Sequence, residues 1–138
     1  MFAQKAIKAE FIRGDASQPL PFRRGEFSVV VCSEMLEHVP DPAACIKSIA
    51  DIADQNTKII LTVPYERPKL ALKLFLRKLG LMKIIMPGIE ERQSEWHLQQ
   101  FDQHKLRDIC QRNLEIRRLD CVLGLHWIAV CRVLPGSH

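Results

Sequence analysis

Apolar and polar positions follow two different periods along this chain, and the places where one gives way to the other mark its elements. Phe27-Ser28-Val29-Val30-Val31-Cys32 is a nearly continuous apolar run rich in β-branched residues. Such a run predicts a strand buried on both faces at the centre of a parallel sheet. Asp41-Pro42 then supplies a helix N-cap followed by proline at the first helical position, and Ile46, Ile49, Ala50 and Ala53 follow at helical spacing toward Asn56. Thr57 to Val63 repeats the buried-strand pattern, so strand, helix and strand predict a right-handed parallel crossover.

The flanks are shorter and more mixed. Lys5 to Lys8 reads as the end of a helix running into a short strand over Glu10 to Arg13, which stops at Gly14-Asp15. Pro19, Pro21 and Gly25 make the following segment a loop. Pro68 opens a strongly apolar helix through Leu79, stopped by Gly80, and Asp102 caps an amphipathic helix over Gln103 to Arg112. Leu114 to Val122 and Leu125 to Leu134 form two strands around a tight turn at Gly124, an antiparallel hairpin. The expectation is one α/β domain over residues 1–138, with parallel strands, a C-terminal hairpin and a variable lid or interfacial insertion over 66–95.

Composition narrows the classes. With 138 residues, 47% hydrophobic and 26% charged, the chain buries about two-thirds of its unfolded surface without needing disulfide or metal staples. Its cysteines, at 32, 45, 110, 121 and 131, are odd in number and form no C-x-x-C, so they are expected as small core residues in a reducing compartment, with no metal site. The glycines at 14, 25, 80, 88, 124 and 136 allow neither a G-x-G-x-x-G turn nor a P-loop. The start of the chain lacks the apolar core of a signal peptide, and no apolar run reaches the roughly 18 residues of a membrane span, which predicts a cytoplasmic protein.

The net charge of +4 is modest, and no nucleic-acid partner is expected from it. Its distribution matters more, because Arg67, Lys69, Lys73, Arg77, Lys78 and Lys83 face the single acid Glu66, a local net of +5. Cations at 69, 73 and 77 share a stripe with leucines around the rest. That composition fits either a peripheral membrane contact through residues 68–86 or a lid helix with snorkelling lysines.

Glu34 and His38 stand four apart on a predicted helical turn, the spacing of an acid/base pair, of half a metal site, or of a plain capping and surface pair. Glu37 is expected in solvent and Trp96 and Trp127 in the core, while His104, His126 and His138 have no evident partner. Tyr65 follows the second buried strand, but Val63-Pro64-Tyr65 lacks the N/D-P-P-Y pattern of nucleobase amino-methyltransferases.

One stretch carries a specific likeness. Gly14-Asp15-Ala16, Leu20-Pro21-Phe22, Gly25-Glu26-Phe27-Ser28-Val29-Val30-Val31 and Ser33-Glu34-Met35-Leu36-Glu37-His38-Val39-Pro40-Asp41-Pro42 together resemble the middle of class I S-adenosylmethionine-dependent methyltransferases. The likeness is to the small-molecule type that includes ubiquinone-biosynthesis O-methyltransferases. It runs from about Ala9 to Val63, and more loosely onward through Trp96-His97-Leu98-Gln99-Gln100-Phe101 to Val133.

The resemblance implies a Rossmann-like methyltransferase fold, N-terminally incomplete, because the family's first strand, glycine-rich turn, helix and acid-ending second strand have no counterpart here. It implies S-adenosylmethionine as cofactor, held on the adenine side by Asp15, by the backbone amide of Ala16 and by Ser33, and a small-molecule acceptor. Asp15 and Ser33 also fall at strand carboxyl ends, where open α/β sheets bind ligands, although a Gly-Asp turn equally suits a residue that caps its own loop. By the same resemblance His97 lies in the segment that closes over substrate and, with His38, is a candidate base.

The expected function is methyl transfer to a small molecule, impaired in a chain without the glycine turn. The alternative is a non-catalytic fragment or subunit that serves as a binding or docking module. Loss of the neighbouring strands leaves Val29-Val30-Val31 in need of an edge partner, and self-association or a completing chain is expected to supply it.

Overall fold

The structure, a computed structural model, describes residues 9–65 and 99–135. The helix end at Lys5 to Lys8, the basic helix from Pro68, the 66–95 insertion, Trp96, His97 and His138 lie outside the described residues. Within them the order is β1 (Val29–Ser33), α1 (Pro42–Ile52), β2 (Lys58–Pro64), α2 (Gln103–Cys110), β3 (Leu114–Val122) and β4 (His126–Val133). The four strands form one sheet in the order β1-β2-β4-β3. β1 and β2 are parallel, while β4 runs antiparallel to both β2 and β3.

Local chemistry sets the helix starts. The Asp41 side chain accepts from Ala44 N at 3.0 Å with Pro42 opening α1, and Asp102 accepts from Lys105 N at 2.9 Å at the start of α2. Both caps satisfy amides that the first helical turn leaves without partners. α1 ends at Ile52, earlier than Asn56, because Asp54 takes over the backbone. Its Oδ1 accepts from Asn56 N at 2.8 Å, from Thr57 N at 2.9 Å and from the Thr57 hydroxyl at 3.0 Å. These bonds, the Asn56 amide foremost, hold the Asp54 carboxyl below the usual carboxylate range.

Register puts Cys32, Leu61, Ala129 and Leu119 in one row across the sheet, and Val30, Ile59, Cys131 and Ile116 in the next. These rows face α1 and α2, whose Cys45, Ile46, Ile49, Leu106 and Cys110 join the same core. On the other face Val29 and Val31 remain 47% and 60% exposed.

Three expectations change here. Among the described residues β1 is an edge strand and not a central one, buried on one face only. The residues Glu10 to Arg13 form no strand, and Phe11 and Ile12 are 95% and 60% exposed. Four cysteines are core residues as expected, but Cys121, near the turn end of β3, is exposed.

Candidate functional site

The carboxyl ends of β1 and β2 and the amino end of β4 meet at one rim, because β4 runs opposite to its neighbours. Ser33 closes β1 opposite Thr62, and Pro64 closes β2 opposite His126. Ser33 ends β1, His126 opens β4 and Thr62 stands two residues before the end of β2, which brings the three polar residues to the same rim.

Glu34 sits just past β1 with a positive φ of 49°, a backbone conformation that a non-glycine residue holds only when its surroundings fix it. Four contacts do so. Its N–H donates to the Thr62 carbonyl at 3.1 Å and toward the Thr62 hydroxyl oxygen at 3.2 Å. Its carboxylate Oε1 accepts from that hydroxyl at 3.0 Å, and Oε2 lies 3.6 Å from His126 Nε2. The Ser33 and Thr62 hydroxyl oxygens are 2.9 Å apart. Thr62 has one hydroxyl hydrogen, already given to the carboxylate, so Ser33 is the donor in that pair and keeps lone pairs to accept.

Beside β1 lies a cavity of about 530 Å³, the size of a small-ligand site. Ala16, Leu20, Phe22 and Phe27 of the preceding loop, Ser33 at the end of the strand, Met35 beyond it, and Ile49 and Ile52 of α1 line it. The loop is braced by the edge-on pair Phe22–Phe27, with centroids 5.0 Å apart, and by Gly25 N donating to the Ile52 carbonyl at 2.9 Å. Asp15, at the start of this loop, accepts from Ser17 N through Oδ1 at 2.8 Å, so it does cap its own turn.

Two histidine expectations are corrected. Glu34 and His38 do not share a helical turn, since the chain makes an irregular turn here and Glu34 reaches Thr62 and His126 instead. Glu37 is 1% exposed rather than solvated, and His38 Nε2 lies 3.8 Å from its Oε1 with the imidazole 44% exposed. His126, which showed no partner in sequence, has one in Glu34, and with Thr62 it is the part of the rim that sequence reasoning missed. The available signal was a polar residue at or near the rim end of each strand, Thr62 in β2 and His126 in β4. Trp127 packs against the core as expected, its ring 5.4 Å from that of Tyr65.

The Cys32–Cys45 pair beneath the cavity splits its two thiols, with Cys45 drawn down by the bond it accepts. Cys32, under the cavity, hydrogen-bonds Cys45, and that bond together with burial pushes its thiol up, away from the reactive thiolate. The Cys131 contact and burial do the same to Cys110. Among the described residues, no three His, Cys, Asp or Glu side chains gather as metal ligands. No described helix is long and apolar enough to cross a membrane.

Comparison with known proteins bears on the family and the fold. A methyltransferase-domain family model matches residues 3–117. The ubiquinone biosynthesis O-methyltransferase of Pseudoalteromonas translucida is 30% identical over 91 residues, covering 66% of this chain and 39% of that protein. The chain thus spans about two-fifths of the length of the curated relatives it matches. A Methanosarcina mazei S-adenosylmethionine-dependent methyltransferase superposes with a TM-score of 0.63 at 22% identity, covering 96% of this chain and 70% of that one. An O-methyltransferase of neocarzinostatin biosynthesis, solved with S-adenosyl-L-homocysteine and 1,4-dihydroxy-2-naphthoic acid, gives 0.57 at 17% identity over 88% of this chain and 33% of that one. These likenesses establish the Rossmann-like fold.

Proposed function

The chain belongs to the class I S-adenosylmethionine-dependent methyltransferase family, and from that premise we propose that it serves methyl transfer to a hydroxyl oxygen of a small acceptor, binding the cofactor by its adenine side. The cavity beside β1 carries this reading. Ala16 and Ser33, which the motif assigns to the cofactor, line the same space, and its walls of Leu20, Phe22 and Phe27 suit a purine ring. The adenine amino group has Asp15 as its acceptor, through the carboxylate oxygen not used on Ser17, and the Ala16 amide and Ser33 oxygen complete the polar contacts. When bound, S-adenosylmethionine supplies an electrophilic methyl group. The protein's own work is to hold the acceptor in line with it and to receive a proton, for which His38 and His97 remain candidates.

Contacts on the adenine side alone make the binding weak. Calorimetric titration of S-adenosylmethionine and S-adenosylhomocysteine is expected to give affinities poorer than micromolar, and Asp15→Ala to cost a further ~1 to 3 kcal/mol, the usual effect of losing a charge-assisted hydrogen bond. Micromolar binding by the unaltered chain contradicts the weak-site reading, and an unchanged Asp15→Ala affinity removes Asp15 from the site.

A second reading, a binding subunit completed by another copy or chain along β1, is favoured by the exposure of Val29 and Val31 on an edge that has no partner strand among the described residues. Light scattering decides it, a strictly monomeric species at high concentration counting against it.

A further inference from the structure

We propose that His126 is the proton acceptor for the acceptor hydroxyl, and that Glu34 is the positioning residue that fixes its tautomer. The inference rests on the methyl-transfer reading above, but it places the base on neither of the histidines that the sequence singles out.

The hydrogen-bond directions at the rim carry it. Thr62 is saturated, since its hydroxyl hydrogen goes to Glu34 Oε1 at 3.0 Å and its lone pairs receive Ser33 at 2.9 Å and Glu34 N at 3.2 Å. Glu34 is therefore held at one oxygen, with its other oxygen 3.6 Å from His126 Nε2. A carboxylate has no hydrogen to give, so a hydrogen bond between it and neutral His126 requires Nε2–H and leaves the lone pair on Nδ1. The 3.6 Å separation is an ion-pair distance that closes by a few tenths of an ångström to a hydrogen bond, as catalytic pairs commonly do once substrate binds. The imidazole is 44% exposed, within reach of a bound solute.

Position agrees with the role. Ser33 belongs both to this network and to the lining of the cofactor cavity, while His126 lies two strands away on the same rim, beyond the end of β2. The chain Ser33–Thr62–Glu34–His126 thus runs from the cofactor side to the acceptor side. In the reaction the acceptor O–H bond breaks, its proton passing to His126 Nδ1 and its electron pair remaining on oxygen. That oxygen bonds the methyl carbon as the methyl–sulfur bond breaks with its pair going to sulfur. The imidazolium then returns its proton to water.

The test has an arm that needs neither cofactor nor turnover. In the ¹⁵N-labelled chain, two-bond proton–nitrogen correlations at a pH well above the ordinary imidazole range report each ring tautomer. The unaltered protein is expected to show His126 mainly as the Nε2–H form. Glu34→Gln is expected to invert it, because the amide oxygen takes the Thr62 hydroxyl and the amide nitrogen then donates to Nε2. Glu34→Asp, which keeps an acceptor-only group, should preserve it. A predominantly Nδ1–H ring in the unaltered protein, or one indifferent to Glu34→Gln in a folded variant, overturns the proposal whatever the activity.

The second arm follows methyl transfer from S-adenosylmethionine to 3,4-dihydroxybenzoate. His126→Gln should lower kcat about 100-fold or more with the KM for S-adenosylmethionine unchanged. Activity that survives His126→Gln overturns the role. No transfer by the unaltered chain counts against the hydroxyl-methylation reading instead, and the tautomer still decides the Glu34–His126 pair.

Discussion

The two edges of the sheet are built on opposite terms. β3 is charged along its length, with Arg117 paired to Glu115 at 2.9 Å and Arg118 to Asp120 at 2.5 Å, and a register shift between Ile116 and Arg118 breaks its ladder. β1 reads Val29-Val30-Val31-Cys32-Ser33, with no charge, no proline and no bulge. Charges and bulges are what keep an edge from templating another strand. One edge is thus finished and the other is a place to add to, and the cavity, Ser33 and Glu34 all lie beside the unfinished one.

The largest effect should come from between the edges, where it separates stability from assembly. Leu61 on β2 is fully buried and takes part in the common core. Leu61→Ala is expected to destabilise the fold by about 2 to 5 kcal/mol in chemical denaturation, the usual range for a buried leucine. If the β1 edge alone governs association, the folded fraction of this variant should associate as the unaltered chain does. A proportionate loss of both would mean that the edge has no independent role.

Val31→Lys acts on the edge itself. Val31 is 60% exposed, so its replacement should leave stability within about 0.5 kcal/mol. A lysine there gives β1 the kind of guard β3 already has, and the dissociation constant of self-association should rise at least about 10-fold by sedimentation. Equal association by the two proteins would end the contrast between the edges.

How far the sequence revealed this contrast depends on which physics sets each part. The helix caps at Asp41 and Asp102, the strand from Leu114 to Val122 and the turn at Gly124 were legible because each depends on neighbours within a few residues. Exposure of β1 was only half legible. Its apolar run marks a strand made for burial, but whether a neighbour exists is a property of the rest of the sheet. The Glu10 to Arg13 strand failed for the same reason, as a short segment does not pair without an apolar face to hold it. At the site, the motif pointed to Asp15, Ala16 and Ser33, of which Ala16 and Ser33 line one cavity while Asp15 caps the turn beside it. The Glu34–His126 contact joins residues 92 positions apart, and only the antiparallel return of β4 brings them together.

A third variant weakens the wall of the unfinished edge. Gly25 has φ +73°, and a Cβ there would lie 2.8 Å from Asp54 Oδ2. Gly25→Ala should cost about 1 to 3 kcal/mol through left-handed strain, with further crowding of the carboxylate. The expected consequence is a looser loop over the cavity and weaker cofactor binding. A variant of full stability and affinity would show that the loop is not braced by this turn.

The smallest effect belongs to the finished edge. Leu123 and Gly124 both have positive φ, at 52° and 65°, and Leu125 N closes the turn on the Val122 carbonyl at 2.9 Å. Two left-handed central residues are the arrangement that Asn-Gly satisfies without strain, whereas leucine pays for its Cβ in that region. Leu123 is also 88% exposed, so it gains nothing by packing. Leu123→Asn is therefore expected to stabilise the chain by about 0.5 to 1 kcal/mol, read as a higher denaturation midpoint at unchanged slope. Because the turn lies at the end of β3 and β4, away from the β1 edge, the variant should associate as before. An unchanged midpoint would mean that the hairpin ladder already absorbs the turn strain. A change in association would mean that the exposed hairpin tip, and not β1, is the apolar surface through which copies meet.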